Sequence, residues 1–121
     1  MSSSSPTVPA IPMSPFREAG NFLYLSGQLA FKEDGKLADG IEAQTQQCLE
    51  NIKSILDARG ADLSQIVKTT VWITNKGDFA AYNNTYRDFF GDVEFPARST
   101  VVSELVISGA LIEIEAIVYK P

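Results

Sequence analysis

The run Leu111-Ile-Glu-Ile-Glu-Ala-Ile-Val-Tyr119 does most to restrict what this chain can fold into. Side chains alternate across a strand, so Ile112, Ile114, Ala116 and Val118 share one face. Leu111, Glu113, Glu115, Ile117 and Tyr119 share the other. The first face is wholly apolar and must be packed, and helices elsewhere in the chain can do that. The second face sets two carboxylates roughly 7 Å apart among apolar neighbours. A two-layer monomer would leave that mixed surface bare, and large bare apolar patches mark interfaces. A symmetric oligomer is therefore expected to cover it.

The rest of the chain supplies the packing partners. Phe22–Gln28 reads as a strand, with Phe22, Tyr24, Ser26 and Gln28 on one face and Leu23, Leu25 and Leu29 on the other. Lys32-Glu33-Asp34-Gly35-Lys36 is a turn carrying an Asp-Gly signal. A helix is predicted from about Gly40 to Arg59, capped by Asp39 with Glu42 completing a capping box. Ile41, Cys48, Leu49, Ile52, Ile55 and Leu56 form its apolar stripe, and Gly60 stops it. Ile66–Thr74 is β-branched almost throughout and reads as a strand, with Trp72 on the face of Ile66, Lys68 and Thr70. Asp78 is placed to cap a second helix ending before Gly91, with Phe79, Tyr82, Tyr86, Phe89 and Phe90 as its buried side. Two last strands fall at about Arg98–Ser103 and Leu111–Tyr119, with a loop at Val106-Ile107-Ser108-Gly109. The order β, α, β, α, β, β predicts an α+β fold, a sheet with two helices on one face.

Length and composition exclude several classes of function. A chain of 121 residues suits one domain. No apolar run approaches ~18 residues, so no membrane span is expected. Residues 1–13 hold four serines and three prolines and are expected to be a flexible tail to a domain over residues 14–121. Met1-Ser-Ser-Ser-Ser-Pro6 lacks the basic and apolar regions of a signal peptide, and the single cysteine, Cys48, has no internal partner. A cytoplasmic protein is expected. Cys48 lies in the apolar helix stripe and reads as a core residue.

There is no histidine, which removes Ser-His-Asp and Cys-His catalysis and every His-ligated metal site. Carboxylates alone could hold magnesium or calcium, but no Asp-x-Asp-x-Asp-Gly loop occurs. No metal and no cofactor are expected. The formal charge is −5, and lysines and arginines are scattered singly. Nucleic acid is therefore a poor partner.

What chemistry remains centres on Phe95-Pro-Ala-Arg-Ser-Thr100 and Ile112-Glu-Ile-Glu115. Arg98 follows a proline that restricts the approach to the strand, and a fixed guanidinium can grip a carboxylate through two parallel hydrogen bonds. Glu113 and Glu115 can orient a water and relay a proton. Each also has a plain structural reading. Arg98 could form a surface or interface salt bridge, and the glutamates could pair with lysines across an interface. Ser26-Gly27 could be a ligand approach or a simple bulge. Asn83 could merely cap or solvate its helix.

These segments, with Ser14-Pro-Phe16, Leu25-Ser-Gly-Gln28, Val67-Lys-Thr-Thr-Val71, and Asp78-Phe79 followed by Asn83 and Tyr86, resemble the Rid (YjgF/RidA-like) family of enamine/imine deaminases. The similarity runs in order from about Ser14 to the C-terminus. It implies chorismate-mutase-like subunits in a homotrimer, with sites in the inter-subunit clefts. It implies that Arg98 and the Thr100 amide hold a substrate carboxylate and that Glu113 places the attacking water. Phe16, Ser26, Gly27 and Asn83 would line the pocket. Two positions depart from the archetype, which has tyrosine where this chain has Phe16 and cysteine where it has Thr100. The implied reaction is hydrolysis of 2-imino or enamino acids, such as 2-aminoacrylate or 2-aminocrotonate, to 2-keto acids and ammonia. A non-catalytic binder of small keto or amino acids would need the same residues. An endoribonuclease or translation inhibitor fits the acidic, histidine-free composition less well, and a holdase has no sequence feature in its favour.

Overall fold

The computed structural model describes residues 11–121. Most of the expected tail therefore lies outside the described residues, and Ile11, Pro12 and Met13 are exposed and belong to no strand or helix. The elements run β1 (Phe16–Ala19), β2 (Phe22–Gln28), α1 (Ile41–Ala58), β3 (Ile66–Ile73), α2 (Phe79–Phe90), β4 (Ala97–Val102) and β5 (Ile112–Tyr119). Short 3-10 turns at Leu63–Gln65 and Lys76–Asp78 precede β3 and α2. The five strands form one mixed sheet in the order β1-β2-β5-β3-β4. Only the β3–β4 pair is parallel, so the chain must cross over between them, and α2 makes that crossover.

The apolar face of β5 lies at the centre of the core, with Ile112, Ile114 and Val118 fully buried. Leu23 and Leu25 from β2 and Val71 and Ile73 from β3 extend the same layer. Cys48, Leu49, Ile52 and Leu56 bring α1 down on it. Tyr82, Tyr86 and Phe90 do the same for α2, with Phe89 half-buried beside them. Gln44 ties the helix to the loops. Its amide nitrogen donates to Ala38 O and Gly109 O, and its Oε1 accepts from Leu111 N. This side chain is 2% exposed and fully satisfied, so removing it would strand three backbone groups.

Several local expectations are corrected. The strand β1 is missing from the sequence reading because Phe16–Ala19 is four residues long and does not alternate. The signal that could have found it is Gly20-Asn21, a two-residue hairpin turn with Gly20 at φ 59°. The helix α1 is not capped by Asp39. Gly40 holds the cap position at φ 89°, a conformation glycine adopts freely, and this leaves Asp39 one residue too early to reach the first turn. Asp78 does hold the cap position of α2, but it already belongs to a 3-10 turn and its side chain makes no capping hydrogen bond; Asn75 Oδ1 caps that turn by accepting from Gly77 N at 2.8 Å. Phe79 is on the first turn of α2 and is 43% exposed, not buried. Ile66 does not share a face with Trp72. The β3–β5 register shifts between Ile66 and Lys68, and this irregularity turns Ile66 into the core. β4 begins and ends one residue earlier than expected, and β5 begins one residue later.

Among the described residues nothing packs over the helix-free face of the sheet around Phe22, Tyr24 and Tyr119. Phe22, Tyr24 and Tyr119 cluster there, with Phe22 centred 5.3 Å from Tyr119 and 6.3 Å from Tyr24. All three rings are more than a third exposed, as is Val101 farther along the same face. Among the described residues no helix is long and apolar enough to cross a membrane.

Candidate functional site

Buried Pro96 leads the chain into β4, and Arg98 is the second residue of that strand. Arg98 is registered against Thr69, which is fully buried on the helix side. The arginine therefore emerges on the helix side, at the open edge of the sheet. Its Nη2 donates to Asn83 Oδ1 at 2.8 Å. Its guanidinium carbon stands 4.9 Å from the ring centre of Tyr86, 5.1 Å from Tyr82 and 5.8 Å from Phe79. This stacking is favourable in itself and holds the planar group in one orientation.

The rings are themselves fixed. Tyr86 Oη and Thr69 Oγ1 are 2.7 Å apart, and Tyr82 Oη and Thr100 Oγ1 are 2.6 Å apart. Burial pushes both phenols above their ordinary range, an effect their hydroxyl partners and the Arg98 charge only offset. Both are therefore neutral near pH 7, and Arg98 is a cation over an uncharged aromatic floor. Asn83 points at Arg98 rather than capping or solvating its helix. A cleft of about 300 Å³ opens here, lined by Asn83, Tyr86, Arg87, Phe95, Pro96 and Arg98. Sequence reading missed Arg87, although its position four residues after Asn83 puts both on one helix face.

Glu113 lies elsewhere. It is registered against Trp72 on the helix-free face, where Glu104, Leu105 and Val106 border the same hollow of about 220 Å³. Within one chain Arg98 does not meet Glu113 or Glu115. β3 lies between β4 and β5, and the two groups project from opposite faces. Arg98 has no carboxylate at ion-pair distance among the described residues.

Ser26 and Gly27 form the bulge that was one of their two readings, and Gly27 adjoins Glu113. Leu25 is opposite Ala116 and Gln28 opposite Ile114, so the two residues between them bulge past Glu115. At the bulge Gly27 meets the Glu113 side chain. A Cβ there would come 2.9 Å from Glu113 Cδ and closer still to Oε2. Ser26 Oγ donates to Ser14 O at 2.6 Å and Ser26 N to Pro15 O at 3.0 Å, which anchors the segment leading into β1. Phe16 and Ser26 line a groove on this edge. The Phe16 ring itself packs toward the core, 5.1 Å beneath the Arg59 guanidinium.

Burial raises the pKa of Glu113, and repulsion from Glu115 raises it further. The folded state therefore holds this proton more tightly than the unfolded state. Stability is fully present below the ordinary carboxylate range and falls as pH rises through the raised value. Glu113→Gln cannot ionise. It is expected to be more stable than the parent at pH 7, on the order of 0.5 kcal/mol because solvent screens a half-exposed group. At a pH below the ordinary range that advantage is expected to vanish. Urea melts at the two pH values check this.

Two helices packed on one face of a five-stranded mixed sheet place this protein in the YjgF-like class. The chain belongs to the family described as endoribonuclease L-PSP, whose model matches residues 4–120. It is 43% identical over 114 residues to a RutC family protein of Pyrococcus horikoshii, covering 93% of this chain and 90% of that one. It is 40% identical over 106 residues to the 2-iminobutanoate/2-iminopropanoate deaminase of Salmonella typhimurium, covering 85% and 83%. The crystal structure of Escherichia coli TdcF with bound serine superposes with a TM-score of 0.87 at 31% identity, covering 93% of this chain and 91% of that one.

Proposed function

We propose that this protein hydrolyses 2-imino acids, and the enamino acids that tautomerise to them, to 2-keto acids and ammonia. The catalytic unit is a homotrimer with its sites between subunits. The observation that carries this reading is the unpaired Arg98, held on three aromatic rings and by Asn83 at the sheet edge. A guanidinium fixed in this way and left without a carboxylate of its own suits one arriving on a substrate. The bare face that carries Glu113 needs a cover, and the arginine edge of a second copy would bring the two groups together.

In that arrangement Arg98 and the Thr100 amide hold the substrate carboxylate, with Asn83 fixing the guanidinium. Glu113 of the adjoining copy positions water against the imine carbon. Its raised proton affinity suits a group that takes a proton from water and passes it to the departing nitrogen. Ser26 and Gly27 hold the wall beside it. The C=N carbon is already electrophilic, so positioning supplies much of the rate. Named relatives with this activity at about 40% identity support the reading. Phe16 lacks a hydroxyl to offer a ligand and serves as an apolar wall.

The test is a coupled assay in which an amino-acid oxidase or a serine dehydratase generates the imine and its loss is followed. Wild type is expected to accelerate that loss, and Arg98→Ala to lower kcat/KM on the order of 100-fold without changing the sedimentation coefficient. A folded oligomer that binds keto acids but leaves every imine untouched would make the cleft a binding site instead.

A further inference from the structure

Arg87 lines the same cleft as Arg98 and is one turn along α2 from Asn83. Four residues advance about 6 Å along a helix and return to the same face. Arg87 thus leaves α2 on the same face as the residue that holds Arg98, and both arginines line one cleft. Arg87 donates from Nη1 to Asn84 Oδ1 at 2.9 Å, a neutral partner. Neither arginine has a carboxylate at ion-pair distance among the described residues. Yet the chain has 15 acidic side chains against 10 basic ones, so partners were available to the sequence. Two unneutralised cations facing one cleft on an acidic protein suit a ligand with two anionic ends. Tyr86, Phe95 and Pro96 line the same cleft and suit a short hydrocarbon link.

We infer that the cleft takes a 2-imino acid bearing a second carboxylate. Arg98 grips the carboxylate next to the imine, and Arg87 grips the distal one. The inference deepens the deaminase reading and depends on it for turnover, though not for binding. The reaction balances without a co-reactant. Water oxygen bonds to the imine carbon, the C–N bond breaks, and nitrogen leaves as ammonia with the protons of that water. A dicarboxylic 2-keto acid remains.

The experiment generates imines in situ from glutamate and from alanine and compares kcat/KM for the two. Wild type, Arg87→Ala and Arg87→Glu are measured side by side. The dicarboxylic-to-monocarboxylic ratio is expected to fall about tenfold in Arg87→Ala and further in Arg87→Glu, where like charges meet. An unchanged ratio overturns the inference while leaving the deaminase reading intact. If wild type turns over neither imine, the deaminase reading fails, and calorimetry with 2-oxoglutarate and pyruvate decides the inference. Tighter binding of the dicarboxylate, lost in Arg87→Ala, upholds it; equal affinities overturn it.

Discussion

An equimolar mixture of Arg98→Ala and Glu113→Gln subunits, denatured and refolded together, is expected to recover roughly a quarter of wild-type activity, although each variant alone is expected to keep only about 1% of it. The expectation follows from the sheet. Arg98 leaves β4 on the helix side and Glu113 leaves β5 on the other, with β3 between them. One chain cannot bring both groups to one substrate. If each site takes its arginine from one copy and its carboxylate from the next, random assembly pairs an intact arginine with an intact glutamate by chance alone. Half the arginines and half the glutamates survive, so about one site in four is whole. A site contained in a single chain predicts no recovery, because every subunit in the mixture carries one defect. The readout is initial rate against mixing ratio, which should peak at equal proportions.

Gly27→Ala should separate chemistry from folding. Its Cβ would collide with the end of the Glu113 side chain, not with backbone. A flexible side chain can swing aside, so the fold is expected to keep its stability to within about 1 kcal/mol. If Glu113 positions water as proposed, it cannot both move aside and keep that water in place. A displacement of about 1 Å at a reacting group can cost on the order of 100-fold, and a loss of that size in kcat is expected. The double variant Gly27→Ala/Glu113→Gln should then be no worse than Glu113→Gln, since the glycine acts only through the carboxylate. Additive losses in that cycle would assign Gly27 a separate role in binding.

The two helices, four of the five strands and the bare second face were legible in the sequence, for a physical reason. Long segments with a clear period, such as Ile112–Tyr119 and the α1 stripe, advertise which face is buried. What escaped was set by single-residue geometry. The backbone conformation of Gly40 shifts the start of α1 past Asp39. A register shift turns Ile66 inward against the alternation of its own strand. β1 is too short to show a period and is held by its pairing with β2. For the candidate site, the pattern identified the residue types but not their relative placement. Arg98 and Glu113 stand out as charges in apolar strands, but the sheet order that sets them on opposite faces is non-local. Arg87 was passed over because an arginine on an exposed helix turn looks like ordinary surface.

The buried thiol has a practical consequence. Cys48 is the chain's single cysteine, fully enclosed, with Sγ 3.7 Å from Ile112 O. Burial, and secondarily the Glu113 charge, raise its pKa to about 12. Since only the thiolate is nucleophilic, maleimides and other alkylating dyes at neutral pH will pass it by. A cysteine introduced at Ser54, exposed on the outer side of α1, would then be the only reactive handle on the subunit. Fluorophores or spin labels could be attached there in fixed stoichiometry without first deleting a native residue.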